Sequence, residues 1–323
     1  MDPVLRDTKR SGILDFIMRI AISGASGLIG RNLLSELETD GHQVLRMVRS
    51  PLVANDSSQI YCDYQKKIIE DQKLDNCDVV IHLAGANIAD HRWTKEYKKI
   101  IYDSRVEGTK FLCEILGRLK KPPELLMTAS AVGYYGNHSP DEILNEESLP
   151  GNDFLAKLCV DWEKAASQAQ AKDIRVIHLR FGAVLSKEGG ALGKMLPIFQ
   201  LGLGGKIGSG KQIMSWIAMR ECLLIIKHLI KNKLIRGPVN VVSPQTVSNI
   251  TFTQVLGRVI NRPTIFPVPG FVLKILLGEM ADVVLLSGAN VQPKRLLESG
   301  YPFQYSDLES ALRISLQNVG KSK

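Results

Sequence analysis

The chain has 323 residues, 45% hydrophobic and 23% charged, the balance of a globular protein and not of a disordered, collagen-like or coiled-coil one. At roughly 150 residues per domain, the length points to two domains or to one with an insertion. The 41 basic and 33 acidic residues leave a net charge of +8, spread without any block of like charge, which reads as a solvated basic surface or as a site that attracts a phosphate-bearing ligand.

No recognisable nucleic-acid-binding module accompanies that charge. No apolar run reaches the roughly 18 residues that would span a bilayer. We therefore expect neither nucleic acid nor membrane as a partner. The five cysteines, Cys62, Cys77, Cys113, Cys159 and Cys222, are odd in number and lack CxxC spacing. This argues against a disulfide scaffold or a metal site and for a reducing compartment, the cytoplasm.

Residues 1–17 are charged, lack the apolar core of a secretory leader, and precede a second methionine, Met18. They read as an extension ahead of the fold. From Arg19 onward, strand-like and helical segments alternate. Strands are expected at 19–23, 43–48, 60–64, 78–83, 124–129 and 175–179. Helices are expected at 28–37, 93–119 and 154–171, where apolar residues recur at helical spacing. This alternation predicts βαβ units, a parallel sheet and helices on both faces. The fold class is α/β, a doubly wound parallel sheet with its ligand crevice at the carboxyl ends of the strands.

Residues 186–212 are rich in glycine and read as loop. A helix at 217–231 and a strand at 238–242 follow, then a smaller helical region with Pro263, Pro267 and Pro269. The expected division is a dinucleotide-binding domain at 18–183 and 214–243. A smaller, mostly C-terminal capping domain takes 184–213 and 244–323.

Gly24-Ala-Ser26-Gly27-Leu28-Ile29-Gly30 lies where the first strand passes into the first helix. Glycine at 24 permits a tight turn, at 27 the approach of a pyrophosphate, and at 30 close helix–strand packing. The helix N-terminus adds free N–H groups for the phosphates. We expect cofactor contacts from Gly24, Ser26, Gly27, Leu28, Ile29 and Gly30. The second strand ends in Arg46-Met-Val-Arg49-Ser50 with no carboxylate. Arg49 stands about 20 residues past the turn, where the ribose 2′ substituent is read. A guanidinium there suits a 2′-phosphate, so the expected cofactor is NADP(H).

The G-x-x-G-x-x-G spacing resembles the short-chain dehydrogenase/reductase superfamily, particularly its extended, sugar-nucleotide epimerase-like members. His82-Leu83-Ala84-Gly85 is similar to the superfamily's N-A-G-type segment, which implies that Leu83, Ala84 and Gly85 line the cofactor. Thr128-Ala-Ser130-Ala-Val-Gly-Tyr134-Tyr135-Gly136 resembles the segment that carries the catalytic serine, matched by Ser130. Lys157 matches the lysine of the Y-x-x-x-K motif, which holds the nicotinamide ribose and tunes the tyrosine. The tyrosine position is Asp153. Tyr134, Tyr135 or Asp153 are the alternatives for the missing acid.

Further segments, among them Ser104-Arg105-Val-Glu-Gly-Thr109, Gly193-Lys-Met-Leu-Pro197, Asn240-Val-Val-Ser-Pro244 and Pro293-Lys-Arg295, extend the likeness over residues 18–315. Together they resemble an atypical branch labelled "epimerase family protein" or nucleoside-diphosphate sugar epimerase, sometimes cell-division inhibitor. That resemblance implies NADP(H) binding, a generally absent catalytic tyrosine and a small-molecule substrate that is either nucleotide-linked or not. Where the branch reads W-I-H-x-D-D, this chain has Trp216-Ile-Ala218-Met-Arg220-Glu221. His82 is either structural or close to the cofactor, and Trp93 and Trp162 read as packing residues. Arg92 and Arg105 face an anionic substrate or make structural pairs, and Lys294 and Arg295 are weaker candidates for the cleft. Two functions remain open: an oxidoreductase or epimerase-like enzyme, and a non-catalytic NADP(H)-binding sensor or scaffold.

Overall fold

The computed structural model describes residues 17–50 and 56–317; the expected N-terminal extension, apart from Ile17, lies outside them. The strands are β1 (Arg19–Ser23), β2 (Gln43–Val48), β3 (Gln59–Asp63), β4 (Ile68–Ile69), β5 (Val79–His82), β6 (Leu125–Ala131), β7 (Ile143–Leu144), β8 (Arg175–Phe181), β9 (Ala183–Leu185), β10 (Ile213–Met214), β11 (Trp216–Ala218), β12 (Gly237–Val241), β13 (Val247–Ser248) and β14 (Asn290–Val291). The helices are α1 (Leu28–Thr39), α2 (Lys95–Leu116), α3 (Phe154–Ser167), α4 (Gly190–Gln200), α5 (Met219–Lys231), α6 (Asn249–Val259), α7 (Gly270–Leu277), α8 (Lys294–Glu298) and α9 (Leu308–Leu316).

Eight strands form one sheet in the order β12-β8-β6-β5-β1-β2-β3-β4. All neighbours run parallel except β3 and β4. The order reverses at β1, so the connections leaving β1 and β5 run to opposite faces of the sheet and leave a crevice at the carboxyl ends of these strands. Alternation along the strands divides the core in two. Ile20, Ile22, Val79, Ile81, Leu125, Met127, Ile177 and Leu179 pack beneath α1 and α5. Ala21, Val80, Leu126 and Val176 point the other way, against α2 and the end of α3. Strands buried on both faces are apolar at most positions, which is why they read in the sequence as near-continuous apolar runs, interrupted by buried polar residues such as Thr128 and His178.

A further core joins Leu185, Leu192, Phe199, Trp216, Phe252, Leu256 and Leu312. It gathers α4, α6 and α9 around β9 and β11, which pair in parallel. The glycine-rich stretch read as loop therefore contains α4, anchored by its buried Leu192 and Phe199. In β11, Trp216 and Ala218 pack into this core and Ile217 into the sheet core. Leu296 and Tyr301, from the C-terminal region, also pack beneath the main sheet.

Candidate cofactor and catalytic site

The chain leaves β1 through Gly24, whose φ is +69°. A Cβ on Gly24 would lie 2.7 Å from the Leu83 carbonyl carbon. Glycine is thus demanded both by the backbone and by the passing β5 exit. At Gly30 a Cβ would overlap the Gly24 carbonyl, so α1 seats against the turn only without a side chain. Gly27 differs: its Cβ would meet one atom, Gly24 O at 3.2 Å, and otherwise open space.

Gly27 is the N-cap of α1 and provides no side-chain cap. The first helical bond runs from Arg31 N–H to Gly27 O at 3.0 Å. The N–H groups of Leu28, Ile29 and Gly30 are left without intrahelical acceptors. Ser26 is exposed beside them. Free donors, the positive end of the helix and an open surface at Gly27 fit a dinucleotide pyrophosphate.

The β1 and β5 exits are tied together. Ala84 N–H donates to Ser23 Oγ at 3.3 Å, and that oxygen lies 2.6 Å from His82 Nδ1. His82 is fully buried, edge-on to Tyr64 at 5.4 Å between centroids. Burial pulls its imidazole down to a pKa of about 4, so it is neutral at neutral pH. Leu83 is half-buried and Gly85 exposed. At the β2 exit, Arg46 bonds Ser58 Oγ at 3.0 Å and faces Asp56 at 3.4 Å. Arg49 is exposed and makes no hydrogen bond or ion pair with the described residues; residues 51–55 lie outside them.

At the β6 and β8 exits the polar residues close on themselves. Glu163, on α3, accepts from Ser130 Oγ at 2.7 Å, from Arg180 Nε at 2.8 Å and from Arg180 Nη2 at 2.8 Å. Arg180 Nη1 donates to the Tyr135 hydroxyl at 2.9 Å, which donates to Asn240 Oδ1 at 2.8 Å. Burial works against the Arg180 charge, but the Glu163 carboxylate outweighs it and holds the guanidinium pKa above its ordinary value. Burial likewise pushes the Tyr135 phenol up to about 12. The Arg180 guanidinium also lies over the Tyr134 ring, 3.5 Å from its centroid.

The structure brings Ser130, Tyr134 and Tyr135 together around the Glu163–Arg180 pair. Ser130, 3% exposed, gives its hydroxyl proton to Glu163. Tyr135 is 0% exposed, so its hydroxyl belongs to the buried cluster. Tyr134 is half-buried, and its hydroxyl makes no hydrogen bond with the described residues. Asp153 is the N-cap of α3, accepting from Ala156 N–H at 2.9 Å. That bond gives its carboxylate a structural task. Lys157 lies one turn further along and is exposed. Glu163 and Arg180 are not among the site residues expected from the sequence, and Asn240 enters there only within a segment that carries the family resemblance. The available signal was a charged residue inside an apolar strand end, Leu179-Arg180-Phe181.

A doubly wound parallel sheet whose first crossover opens on a glycine turn with free helix N–H groups is a dinucleotide-binding fold. Residues 20–241 match the NAD dependent epimerase/dehydratase family, and residues 268–314 match a domain of unknown function, DUF1731. Over 301 residues the chain is 38% identical to an epimerase family protein of Mycobacterium bovis, covering 93% of this chain and 98% of that one. Over 309 residues it is 39% identical to the chloroplastic SDR39U1 homolog of Arabidopsis thaliana, covering 93% and 87%. The crystal structure of the human epimerase family protein SDR39U1 (isoform 2) with NADPH matches with a TM-score of 0.86 at 32% identity, covering 94% of this chain and all (100%) of that one. The chain therefore belongs to the NAD-dependent epimerase/dehydratase family, among the epimerase family proteins similar to SDR39U1.

Proposed function

We propose that the protein binds NADP(H) and acts as an oxidoreductase or sugar-nucleotide-epimerase-like enzyme on a hydroxyl- or carbonyl-bearing small molecule. The observation that carries this reading is the open Gly27 surface backed by three free N–H groups. Arg49, at a β2 exit without a carboxylate, supports the 2′-phosphorylated cofactor. The NADPH in the human relative's structure supports the same choice. When bound, the nicotinamide would supply or accept a hydride. Of this chain's residues, Lys157, exposed one turn past Asp153, is the group we assign to hold the ribose. Tyr134 is the phenol left free to move a proton, its ring held against Arg180, which Glu163 fixes in turn. The cytoplasm is the proposed location: all five cysteines are free and buried, and no described helix is long and apolar enough to cross a membrane.

A specific observation favours the second reading, a non-catalytic NADP(H)-binding sensor or scaffold. Asp153 is occupied as a helix cap, and the Ser130 and Tyr135 hydroxyls are spent inside the protein. NADPH titration followed by fluorescence tests the binding common to both readings. The parent is expected to bind, and Gly27→Val, which fills the phosphate surface, to lose most of that binding. Failure of the parent to bind either NADPH or NADH would overturn both. Hydride exchange from bound NADPH into a panel of carbonyl compounds, abolished by Tyr134→Phe, separates the enzyme from the sensor.

A further inference from the structure

Arg105 lies on α2 beneath the β5 exit. Its Nη1 donates to the backbone carbonyls of Ala86 at 2.9 Å and Ile101 at 3.3 Å. The guanidinium carbon is 5.2 Å from the Trp162 ring. A Cβ on Gly85 would meet that carbon at 3.1 Å, so the absent side chain of Gly85 is what lets the guanidinium come up beneath the backbone there. Nε and Nη2 make no hydrogen bond with the described residues, and neither is among the enclosed unpaired polar atoms.

Two other arginines show what is missing. Arg180 is bound by Glu163 through Nε and Nη2. Arg175 spends Nη1 and Nη2 on the carbonyls of Leu229, Ile230, Asn232 and Ile235 at the end of α5. Arg105 has neither a carboxylate nor a full set of carbonyls. The titratable groups that act on it are Cys159 and Tyr97, and burial pulls its pKa below the ordinary value. Arg105 is half-buried and its unbonded Nε and Nη2 still reach solvent, so this edge of the guanidinium is open to an oxyanion. Nε–H and Nη2–H are the parallel pair of the guanidinium that matches two oxygens of one carboxylate or phosphate.

We propose that Arg105 is an anion-binding residue of the crevice, its free Nε–Nη2 edge taking a carboxylate or phosphate of a ligand that passes over Gly85. The proposal rests on the crevice being the ligand site of the function proposed above. The anion comes either from the substrate or from the cofactor's own phosphates.

The full chain, first free and then saturated with NADPH, is titrated with inorganic phosphate and with acetate. Tryptophan fluorescence, reporting from Trp162, and calorimetry follow the binding. Both anions are expected to bind the free wild type. Arg105→Gln should weaken them by about tenfold or more, the loss of a charge-assisted pair. Arg105→Lys, which keeps the charge but not the fork, should weaken them less, and it serves where the glutamine variant does not fold. Competition between phosphate and NADPH assigns the anion to the cofactor. Binding that persists in the NADPH-saturated protein assigns it to the substrate. Anion binding unchanged in Arg105→Gln, or no binding by the wild type up to about 100 mM, a dissociation constant too weak to matter, overturns the proposal. NADPH binding by the same samples reports on the cofactor separately.

Discussion

Replacing Glu163 by alanine tests the buried cluster most severely. The Glu163 and Arg180 side chains are 10% and 3% exposed. The carboxylate accepts three hydrogen bonds of 2.7 to 2.8 Å. Without it, Arg180 keeps a single hydrogen-bond acceptor, the Tyr135 hydroxyl, in a space nearly closed to water. Breaking a buried ion pair from one side costs about 3–5 kcal/mol, because the surviving charge is left uncompensated. Ser130 loses its partner as well, at about 1 kcal/mol. We therefore expect Glu163→Ala to lose about 4 kcal/mol, a large share of the 5–15 kcal/mol typical of a native protein. Replacing both charges by apolar residues of similar size removes the stranded charge. Glu163→Leu with Arg180→Met should accordingly cost at least about 2 kcal/mol less than the two single variants added. Urea unfolding followed by tryptophan fluorescence measures these differences as midpoint shifts at constant slope. A loss below about 1 kcal/mol in Glu163→Ala, or strict additivity in the double variant, would show that the pair is neither sealed nor coupled.

Three further outcomes are expected. Arg49→Ala should weaken NADPH by about 1–3 kcal/mol and leave NADH nearly unchanged; equal affinity of the parent for both cofactors refutes the assignment. Asp153→Ala should cost about 1 kcal/mol of stability through loss of the α3 cap, and Asp153→Asn much less. Loss of hydride exchange in a stable Asp153→Asn protein would instead assign the carboxylate to chemistry. His82, with a folded pKa of about 4 against roughly 6.5 unfolded, leaves the unfolded chain binding the extra proton between those values. Its contribution is complete above pH 6.5 and falls away as pH drops, by about 3 kcal/mol at pH 4. Urea midpoints of the wild type and His82→Gln across this range should converge toward low pH; parallel curves would contradict the buried neutral imidazole.

The sheet strands and the glycine turn could be read from the sequence because both are local. A parallel strand covered on both faces is apolar at most positions, and a tight turn shows in glycine spacing alone. The turn at Gly24–Gly30 and strands β1, β2, β3, β5, β6 and β8 therefore lie where the residues themselves place them, whereas the two-residue strands β4 and β7 are not among the expected elements. Helix α4 was hidden because Gly189, Gly190 and Gly193 favour loop locally. Its Leu192 and Phe199 are buried against Trp216, Phe252 and Leu312, none of them near in sequence. The polar cluster depends still more on distant partners. Ser130 meets Glu163 33 residues away, and Tyr135 meets Asn240 105 residues away. Tyr134 and Tyr135 are identical neighbours in the chain, yet packing sends one hydroxyl into that cluster and leaves the other without a hydrogen bond among the described residues. Arg105 and Arg180 likewise look alike as residues, and only the folded chain supplies one with a carboxylate and leaves the other without. Local preference sets backbone angles and periodicity, whereas a buried polar group acquires its partner only when folding removes water and leaves whichever donors and acceptors the tertiary contacts bring within reach.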